Sequence, residues 1–341
     1  SLLGHKLVYS RRAIFQAEEG FNSCLPLGKD ELQVLNSMNT SPLSTVFPFV
    51  SSELSSNEGI LYGVNRHNYS LILFDRFSLA NANSVVFATS GAGKSYAVKL
   101  EILRSLMWGT DVIVIDPENE YKFLAEAVGG TFLRLSLDSE YRINPFDLPR
   151  AVGDMSTADI IRSAVINIKG LLKLMLGRLT REEDALVDRA LMETYAKKDI
   201  NENSSLRDAI PPTMGDFQQI LESMEGGRDV VLRLKKYTEG TFAGLFNQPT
   251  NVQLDNQFIV FSIRDLEDEL RPIAMYVVLN YIWNIVRSQL KKRILVVDEA
   301  WWMMQYEDSA RFMFGIAKRG RKYYLGLTTI SQDVNDFLTS D

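Results

Sequence analysis

Residues 84–95 read SVVFATSGAGKS, an apolar strand-like run followed by glycines, a lysine and a serine. The stretch differs by one residue from GxxxxGK[ST], a loop whose backbone N–H groups surround a phosphate. Ala88 stands where that pattern has its first glycine, at the turn out of the strand, where a methyl group fits if φ is negative. Gly91 and Gly93, which must approach the phosphates, are present. The sequence therefore predicts a nucleotide phosphate site.

The predicted residues of this loop are Ser90, Gly91, Ala92, Gly93, Lys94, Ser95 and Tyr96. In such loops the lysine reaches the β- and γ-phosphates and the serine hydroxyl binds Mg²⁺. We therefore expect Lys94 to act on ATP and Ser95 to ligate the metal, with ATP and Mg²⁺ as cofactors. Apolar residues at helical spacing follow the loop from Ala97 to Leu106, as expected of a helix whose N-terminus faces the phosphates.

Six short apolar runs predict the strands of an α/β fold. They are Ser84–Phe87, Asp111–Ile115, Thr131–Leu135, Phe258–Ile263, Arg293–Val297 and Tyr324–Ile330. Nearly continuous aliphatic runs are typical of parallel strands covered on both faces by helices. Helical patterns alternate with these runs, which indicates a mainly parallel sheet flanked by helices.

Strand signals disappear between residues 151 and 235, and helix signals replace them. Thr180-Arg-Glu-Glu183 is a capping box, in which the hydroxyl and the carboxylate satisfy each other's free backbone N–H groups. Thr213 caps a second helix in the same way. We interpret 151–235 as an all-helical insertion into a core formed by 51–150 and 236–341.

The composition excludes several classes of protein. The chain has 341 residues, 46% of them hydrophobic, enough for a large core. A single cysteine, Cys24, allows no internal disulfide, and two histidines, His5 and His67, are too few for a histidine metal site. The net charge of -6 argues against a surface that is basic all over, as in a protein that coats DNA. Short basic clusters at 291–293 and 318–322 remain candidate contact points for DNA.

Both ends of the sequence are abrupt, and we interpret the chain as a piece of a longer protein. Residues 1–50 combine an amphipathic segment with a stretch rich in Ser, Asn and Pro, which indicates the tail of a preceding domain and a connector. No apolar run approaches the roughly 20 residues that cross a bilayer, and no leader pattern opens the sequence.

Another of the predicted strands, Arg293–Val297, is followed directly by Asp298 and Glu299. Open α/β sheets bind ligands where their strands end, so two carboxylates are delivered to that edge. We expect Asp298 to hold the Mg²⁺ shell and Glu299 to polarise the attacking water. A strand running into a helix cap would explain Asp298 alone, but the phosphate loop upstream favours the catalytic explanation.

Other candidates carry weaker signals. Gln332 follows the last predicted strand, where it could sense the γ-phosphate or act only as a turn residue. Arg319 and Arg321 could serve a neighbouring subunit as an arginine finger or be ordinary surface bases. Asp116 is predicted to cap a helix that starts at Pro117. A site role for Glu118 or Glu120 in the same stretch stays open.

Several motifs occur together and in a recognisable order. They are FNSCLPLG (21–28), FPF (47–49), GILYGVN (59–65), NAN (81–83), IDPENEY (115–121), RINPFDL (142–148), VVDEAW (296–301) and TTISQ (328–332). With the phosphate loop, they resemble the large ATPase of type IV secretion and conjugation systems, within the FtsK/HerA-like group of RecA-type motors. The resemblance covers nearly the whole chain, although the loop and the Asp-Glu strand end occur in many NTPases.

This resemblance implies a RecA-like core and Mg-ATP hydrolysis that powers channel or pilus assembly and the transfer of DNA or protein. It implies a homo-oligomer, with a hexamer as one candidate, that meets other channel components at the cytoplasmic, inner face of the bacterial membrane. Lys94 and Ser95 would be the phosphate-loop pair, Asp298 and Glu299 the metal and water pair, and Gln332 the sensor. Family members usually carry a large N-terminal domain and continue past the Ser-Gln strand, which this sequence does not show.

Two alternatives stay open at this stage. One is a DNA-translocating relative, a coupling protein or chromosome translocase, whose hydrolysis DNA would stimulate and salt would weaken. The other is a non-catalytic module in which bound ATP orders a subunit interface. Glu299 argues against the second, because a pure binding module has no need of a carboxylate that polarises water.

Overall fold

The computed structural model describes residues 14–33, 37, 39–40, 56–67, 69–149, 156–202, 204–206 and 209–335. The chain divides into two compact units, 1–52 and 53–341. In the first, the described residues form one helix, α1 (Ala17–Cys24), and leave the thiol of Cys24 exposed. The FPF motif of the predicted connector lies outside the described residues.

The second unit begins with an antiparallel hairpin of β1 (Ile60–Val64) and β2 (Leu71–Phe74). No sequence pattern predicted this hairpin. Gly59, just before β1, has φ of 118°, and a Cβ there would lie 2.3 Å from the carbonyl carbon of Phe74. The close approach of the two chain segments therefore requires glycine at this position.

A sheet of six parallel strands forms the centre of this unit. The strands are β3 (Ser84–Phe87), β4 (Asp111–Asp116), β5 (Thr131–Arg134), β6 (Phe258–Ser262), β7 (Arg293–Val297) and β8 (Leu325–Ser331). Their spatial order is β3-β8-β7-β4-β6-β5. All six predicted strands are present, and no end differs from its predicted position by more than one residue.

Ten helices accompany the sheet in the described part of this unit. They are α2 (Lys94–Met107), α3 (Lys122–Val128), α4 (Thr157–Leu176), α5 (Arg181–Ala196), α6 (Met214–Ser223), α7 (Arg228–Thr238), α8 (Ala243–Phe246), α9 (Arg271–Ser288), α10 (Trp301–Met304) and α11 (Glu307–Arg319). Five of them, α4 to α8, lie between β5 and β6 in the chain. Both reciprocal hydrogen bonds of a capping box are present at Thr180 and at Thr213.

Helices cover both faces of the sheet, and β4 shows how its sequence divides between them. Ile113 and Ile115 belong to one apolar cluster, which includes α9 and the helices between β5 and β6. Val112 and Val114 belong to the other, with residues of α2 and α3. Each of these four side chains is at most 3% exposed, so the continuous apolar run has the burial expected of a central parallel strand.

Parallel strands all end at the same edge of a sheet. At this carboxyl edge lie the phosphate loop after β3, the loop after β4, Asp298 after β7 and Gln332 after β8. The opposite, amino edge receives the end of α11 and a short 3-10 turn, Gly320–Tyr323, that leads into β8. The fold thus separates two groups of predicted site residues.

Candidate active site

The loop between β3 and α2 has the backbone that a phosphate cradle requires. Gly91 and Gly93 adopt φ of 77° and 90°, in the left-handed region that favours glycine, and α2 starts at Lys94 directly after them. A Cβ at either glycine would meet nothing within 4 Å, so backbone conformation and not crowding demands glycine. Ala88 does not have a positive φ, and its methyl group fits under this condition.

The rest of the loop is open to solvent. Ser90 and Ala92 are exposed, Tyr96 is 75% exposed, and Ser95 is half-buried in the first turn of α2. An open loop at a helix N-terminus presents unpaired N–H groups to an approaching anion.

Lys94 turns from the loop towards both carboxylates at the end of β7. Its Nζ lies 2.8 Å from Oε1 of Glu299 and 3.4 Å from Oδ1 of Asp298. Burial acts to lower the pKa of Lys94, but the hydrogen bonds and charges of the two carboxylates outweigh it and raise the pKa. The ammonium group therefore stays charged and neutralises part of the acidic pair.

Glu299 is held by three side chains in a strained backbone position. Its φ of 47° is unusual for a residue with a side chain, and such strain is concentrated at functional sites. Oε1 accepts from Lys94 and, at 3.2 Å, from Nε2 of Gln332, while Oε2 accepts at 2.7 Å from Nε1 of Trp301. Burial would raise the pKa of Glu299, but these hydrogen bonds hold it below its usual range.

Asp298 lies deeper, with 2% of its surface exposed. Burial raises its pKa, although the charge of Lys94 opposes the effect. The hydroxyl of Tyr121 lies 3.3 Å from Oδ2 of Asp298, and burial raises the pKa of this phenol so that it remains a donor. Tyr121 therefore holds the carboxylate oxygen that Lys94 does not contact.

The prediction that Asp116 caps a helix starting at Pro117 is wrong. The helix α3 starts at Lys122, and the buried Asp116 carboxylate instead accepts the backbone N–H groups of Glu118, Glu120 and Tyr121 at 3.2, 3.1 and 2.9 Å. Burial raises the pKa of Asp116 to about 6 despite these bonds. Its carboxylate shapes the loop that carries Tyr121 to the site.

The structure thus brings Lys94, Asp298, Glu299 and Gln332 together, as the sequence suggested. It places Arg319 and Arg321 at the amino edge of the sheet. Six residue steps of β8 at about 3.3 Å each separate that edge from the phosphate loop, roughly 20 Å. Neither arginine can act on the nucleotide site of its own chain.

The remaining acidic candidates lie at the rim. Glu118 and Glu120 are exposed, and Oε1 of Glu118 lies 3.8 Å from Nη1 of Arg271. Sequence reasoning missed three contributors to the site, Asp116, Tyr121 and Trp301. An available signal was that Tyr121 and Trp301 are aromatic residues with a polar atom, each a few residues after a strand that ends in a carboxylate.

The donor set fits Mg-ATP. Two glycines with left-handed backbone, a helix N-terminus and an ammonium group suit phosphate oxygens. A serine hydroxyl and a carboxylate supply the oxygen ligands that Mg²⁺ prefers. Ser95 and Asp298 would hold the metal, and Lys94 with the N–H groups of the loop would hold the phosphates.

Comparison with known proteins gives relatives over nearly the whole chain. Residues 73–341 match the TraG P-loop domain family. The chain is 26% identical over 362 residues to protein TraC of Escherichia coli K12, covering 98% of this chain and 39% of TraC. It is 20% identical over 305 residues to the DNA import protein CedB of Sulfolobus acidocaldarius, covering 84% of this chain and 44% of CedB. It therefore spans less than half the length of these curated relatives.

Solved structures show the same fold. VirB4 of Thermoanaerobacter pseudethanolicus is 32% identical, with a TM-score of 0.75 over 84% of this chain and 80% of that chain. The plasmid coupling protein TrwB, solved with ADP and Mg²⁺, has a TM-score of 0.50 at 11% identity, over 88% of this chain and 71% of that chain, and shows the fold alone.

In the part of the chain that the structure describes, no helix has the length and apolarity to span a membrane. The six-stranded parallel sheet and these neighbours confirm the predicted RecA-like P-loop fold. The family inferred from the sequence motifs is confirmed as well, by the match over residues 73–341 and the likeness to VirB4. This chain belongs to the TraG P-loop domain family.

Proposed function

We propose that the chain is the motor domain of a type IV secretion or conjugation system and that it hydrolyses Mg-ATP. The observation that supports this most strongly is the convergence of Lys94, Asp298 and Glu299. Nζ of Lys94 lies within 3.4 Å of an oxygen of each carboxylate. Binding alone requires the lysine and the loop. A buried carboxylate oriented by Gln332 and Trp301 is what a water-activating base requires.

The arrangement of Lys94 has a consequence for the reaction. Its ammonium group now pairs with Glu299, so it must exchange that partner for phosphate oxygens when the nucleotide binds. Glu299 is then free to accept a proton from water, and the hydrogen bonds from Gln332 and Trp301 still act to lower its pKa. Mg²⁺ supplies charge neutralisation on the phosphates when bound. The hydrogen bond from Gln332 to Glu299 supports a role for Gln332 in orienting the same water.

Completion of the site by a neighbouring copy is part of the proposal. Arg319 and Arg321 lie on the opposite edge from their own phosphate loop, so an arginine finger from either must act between subunits. A head-to-tail ring is the closed arrangement that repeats such a contact, and a hexamer is the candidate. The other proposed partners are the components of the secretion channel at the inner face of the cell membrane.

The first experiment measures steady-state ATP hydrolysis per subunit over a wide range of protein concentration. We expect the rate to rise with concentration and to fall by about 100-fold or more in Glu299→Gln, because the water then lacks its base. Lys94→Ala should abolish saturable binding of Mg-ATP.

A flat, near-zero rate at every concentration, with ATP still bound, would contradict the hydrolysis proposal. That result would favour the nucleotide-gated assembly module. Unchanged binding in Lys94→Ala would contradict the assignment of the phosphate loop.

DNA translocation is a second candidate, because the relative CedB is described as a DNA import protein and TrwB as a plasmid coupling protein. A motor that grips nucleic acid should hydrolyse ATP faster when DNA is added, and the stimulation should fall steeply with salt. The test is the rate with and without duplex or single-stranded DNA at low and at moderate salt. No stimulation at low salt would leave protein transfer or channel assembly as the proposed work.

A further inference from the structure

Two guanidinium groups lie against one indole ring at the amino edge of the sheet. The guanidinium carbon of Arg319 is 5.3 Å from the centroid of the Trp283 ring, and that of Arg287 is 5.7 Å from it. The ring of Tyr323 packs edge-on at 5.2 Å between centroids. Trp283 is only 2% exposed, so these neighbours help to enclose its ring. A guanidinium stacked on tryptophan is both attracted and restricted in orientation.

Neither guanidinium has a carboxylate within ion-pair distance among the residues that the structure describes. Nε of Arg319 donates to the carbonyl oxygen of Gly315 at 3.0 Å. Nη2 of Arg287 donates to Oδ1 of Asn284 at 2.7 Å, while its buried Nε has no hydrogen-bond partner. Burial lowers the pKa of Arg287, and the charge of Arg319 acts in the same direction. Two like charges held together without a counter-charge favour an anion that comes from outside.

A glycine makes room for Arg319. Gly315 lies in the interior of α11, where glycine is a poor helix residue. A Cβ at this position would lie 2.9 Å from Nη2 of Arg319, too close for the guanidinium to keep its place. Arg319 is therefore fixed by the Trp283 ring, the Gly315 carbonyl and the space above that glycine. The side chain of Arg321 is exposed and makes no hydrogen bond, ion pair or ring contact with the described residues.

The inference rests on the proposed function. We propose that Trp283 is a positioning residue which, together with Arg287 and Gly315, holds the Arg319 guanidinium ready for the terminal phosphate of a nucleotide bound to a neighbouring copy. Arg319 rather than Arg321 is then the residue that acts between subunits. A guanidinium fixed in advance loses less conformational freedom when it binds phosphate, which strengthens a bidentate contact.

The geometry favours a nucleotide phosphate over a nucleic-acid backbone. Backbone recognition uses a row of cations that follows successive phosphates. Lys318, Arg321 and Lys322 are exposed beside Arg319, but of these cations only Arg319 is stacked on the Trp283 ring. Its neighbour Arg287 is 8% exposed. A single preorganised cation suits a single anion at a defined point.

Gly315→Ala separates the proposed role from a structural one. The methyl group should displace only the far end of Arg319, while alanine favours the helix, so the melting temperature should not fall. We expect kcat to fall by about 10- to 100-fold with KM for ATP unchanged, because a displacement of about 1 Å has effects of this size. Gly244→Ala is the matched control, since its Cβ would meet only the carbonyl oxygen of Leu137 at 3.7 Å.

Trp283 is tested in two backgrounds. Trp283→Phe keeps an aromatic face and should retain more of kcat than Trp283→Leu. Trp283→Leu should cost about tenfold in kcat when Arg319 is present but have no further effect in Arg319→Ala, because it acts through that arginine. An equal further loss in the Arg319→Ala background would show a general structural role and overturn the proposal. Arg321→Ala should reduce kcat far less than Arg319→Ala.

A readout that needs no hydrolysis is the self-association of the Glu299→Gln variant. It is measured by sedimentation velocity in the presence of ATP or of ADP. We expect ATP to lower the concentration for half-assembly by about tenfold relative to ADP, since only ATP offers the terminal phosphate. Gly315→Ala in this background should abolish the difference, and Gly244→Ala should preserve it.

The outcomes separate this inference from the proposed function. If hydrolysis is absent but the ATP-specific association is present and is lost in Gly315→Ala, the inference stands while the hydrolysis proposal fails. If the association shows no preference for ATP, or keeps it in Gly315→Ala, the inference is wrong even where hydrolysis is measured. If Gly315→Ala weakens binding of a DNA oligonucleotide instead, the anion is a nucleic-acid phosphate and the proposal is overturned.

Discussion

The charged clusters at the two edges of the parallel sheet differ in how they are neutralised. At the carboxyl edge, the ammonium of Lys94 contacts both Asp298 and Glu299, and the neighbouring hydrogen bonds satisfy most of the carboxylate oxygens. At the amino edge, Arg287 and Arg319 lie against Trp283, and neither contacts a carboxylate of the described chain. We call the carboxyl edge closed, because its cluster is neutralised within the subunit. We call the amino edge open, because the Arg287–Arg319 pair there needs a counter-charge from outside, although Arg293 at the same edge is paired with Asp111. The difference indicates which of the two clusters stabilises this chain and which serves another molecule.

Removing a charge at the closed edge should have the largest effect on stability. In Lys94→Ala, two buried carboxylates lose the one cation that contacts them among the described residues, so we expect the free energy of unfolding to fall by about 3 kcal/mol. Arg319→Ala, at the open edge, should lower it by about 1 kcal/mol or less, the size of one exposed cation–π contact. Urea unfolding of both variants at pH 7 measures the contrast. Equal losses in the two variants would remove the distinction between the edges.

The pH dependence of the closed edge comes next in size. The folded pKa of Asp116, about 6, is above the value of 3.8 for an unperturbed carboxyl, so the folded chain binds this proton more tightly than the unfolded chain. The resulting stabilisation is present below pH 3.8 and is lost as the pH rises through 6. Relative to Asp116→Asn, wild type should lose on the order of 2 kcal/mol of unfolding free energy between pH 4 and pH 7.

That prediction is checked by urea unfolding of wild type and Asp116→Asn at several pH values in this window. Because the comparison is a difference between the two proteins, groups that titrate alike in both cancel. A difference that stays flat, or that grows in favour of wild type as pH rises, would contradict a raised pKa at this position.

The smallest effect concerns the hydrogen bond from Trp301 to Glu299. Trp301→Phe keeps an aromatic side chain but removes the N–H that donates to Oε2 at 2.7 Å. We expect about 1 kcal/mol less stability and a kcat reduced by about 3- to 10-fold with KM for ATP little changed, because Glu299 is less well oriented. Unfolding and initial-rate measurements test this. A large change in KM alone would assign Trp301 to nucleotide binding instead.

Local patterns predicted what depends on local sequence. The six core strands are continuous apolar runs, and the capping boxes at Thr180 and Thr213 are formed by residues three positions apart. The hairpin of β1 and β2 was missed because its short strands are partly exposed and lack a continuous buried run. The Asp116-Pro117 pair has the local pattern of a helix start, yet the buried carboxylate instead accepts three N–H groups of the bent loop that follows it.

Contacts between distant segments could not be predicted in this way. The Tyr121 hydroxyl and Asp298 are 177 positions apart, and no local spacing indicates that they meet. No sequence pattern indicated whether Arg319 or Arg321 acts as the arginine finger. What distinguishes them is the Trp283 ring, on a helix that precedes α11 in the chain and packs beside it only in the folded protein.

The strand that carries the phosphate loop also sets an order of events during synthesis. Within the described sheet, β3 pairs only with β8, and Ser84 lies opposite Thr328, 244 positions later. At elongation rates of roughly 5 to 20 residues per second, about 12 to 50 seconds pass between the synthesis of Ser84 and that of Thr328. Until then Val85 and Phe87 have no neighbouring strand. A nascent chain therefore cannot complete its nucleotide site early, and the unpaired edge is where chaperones would first be needed.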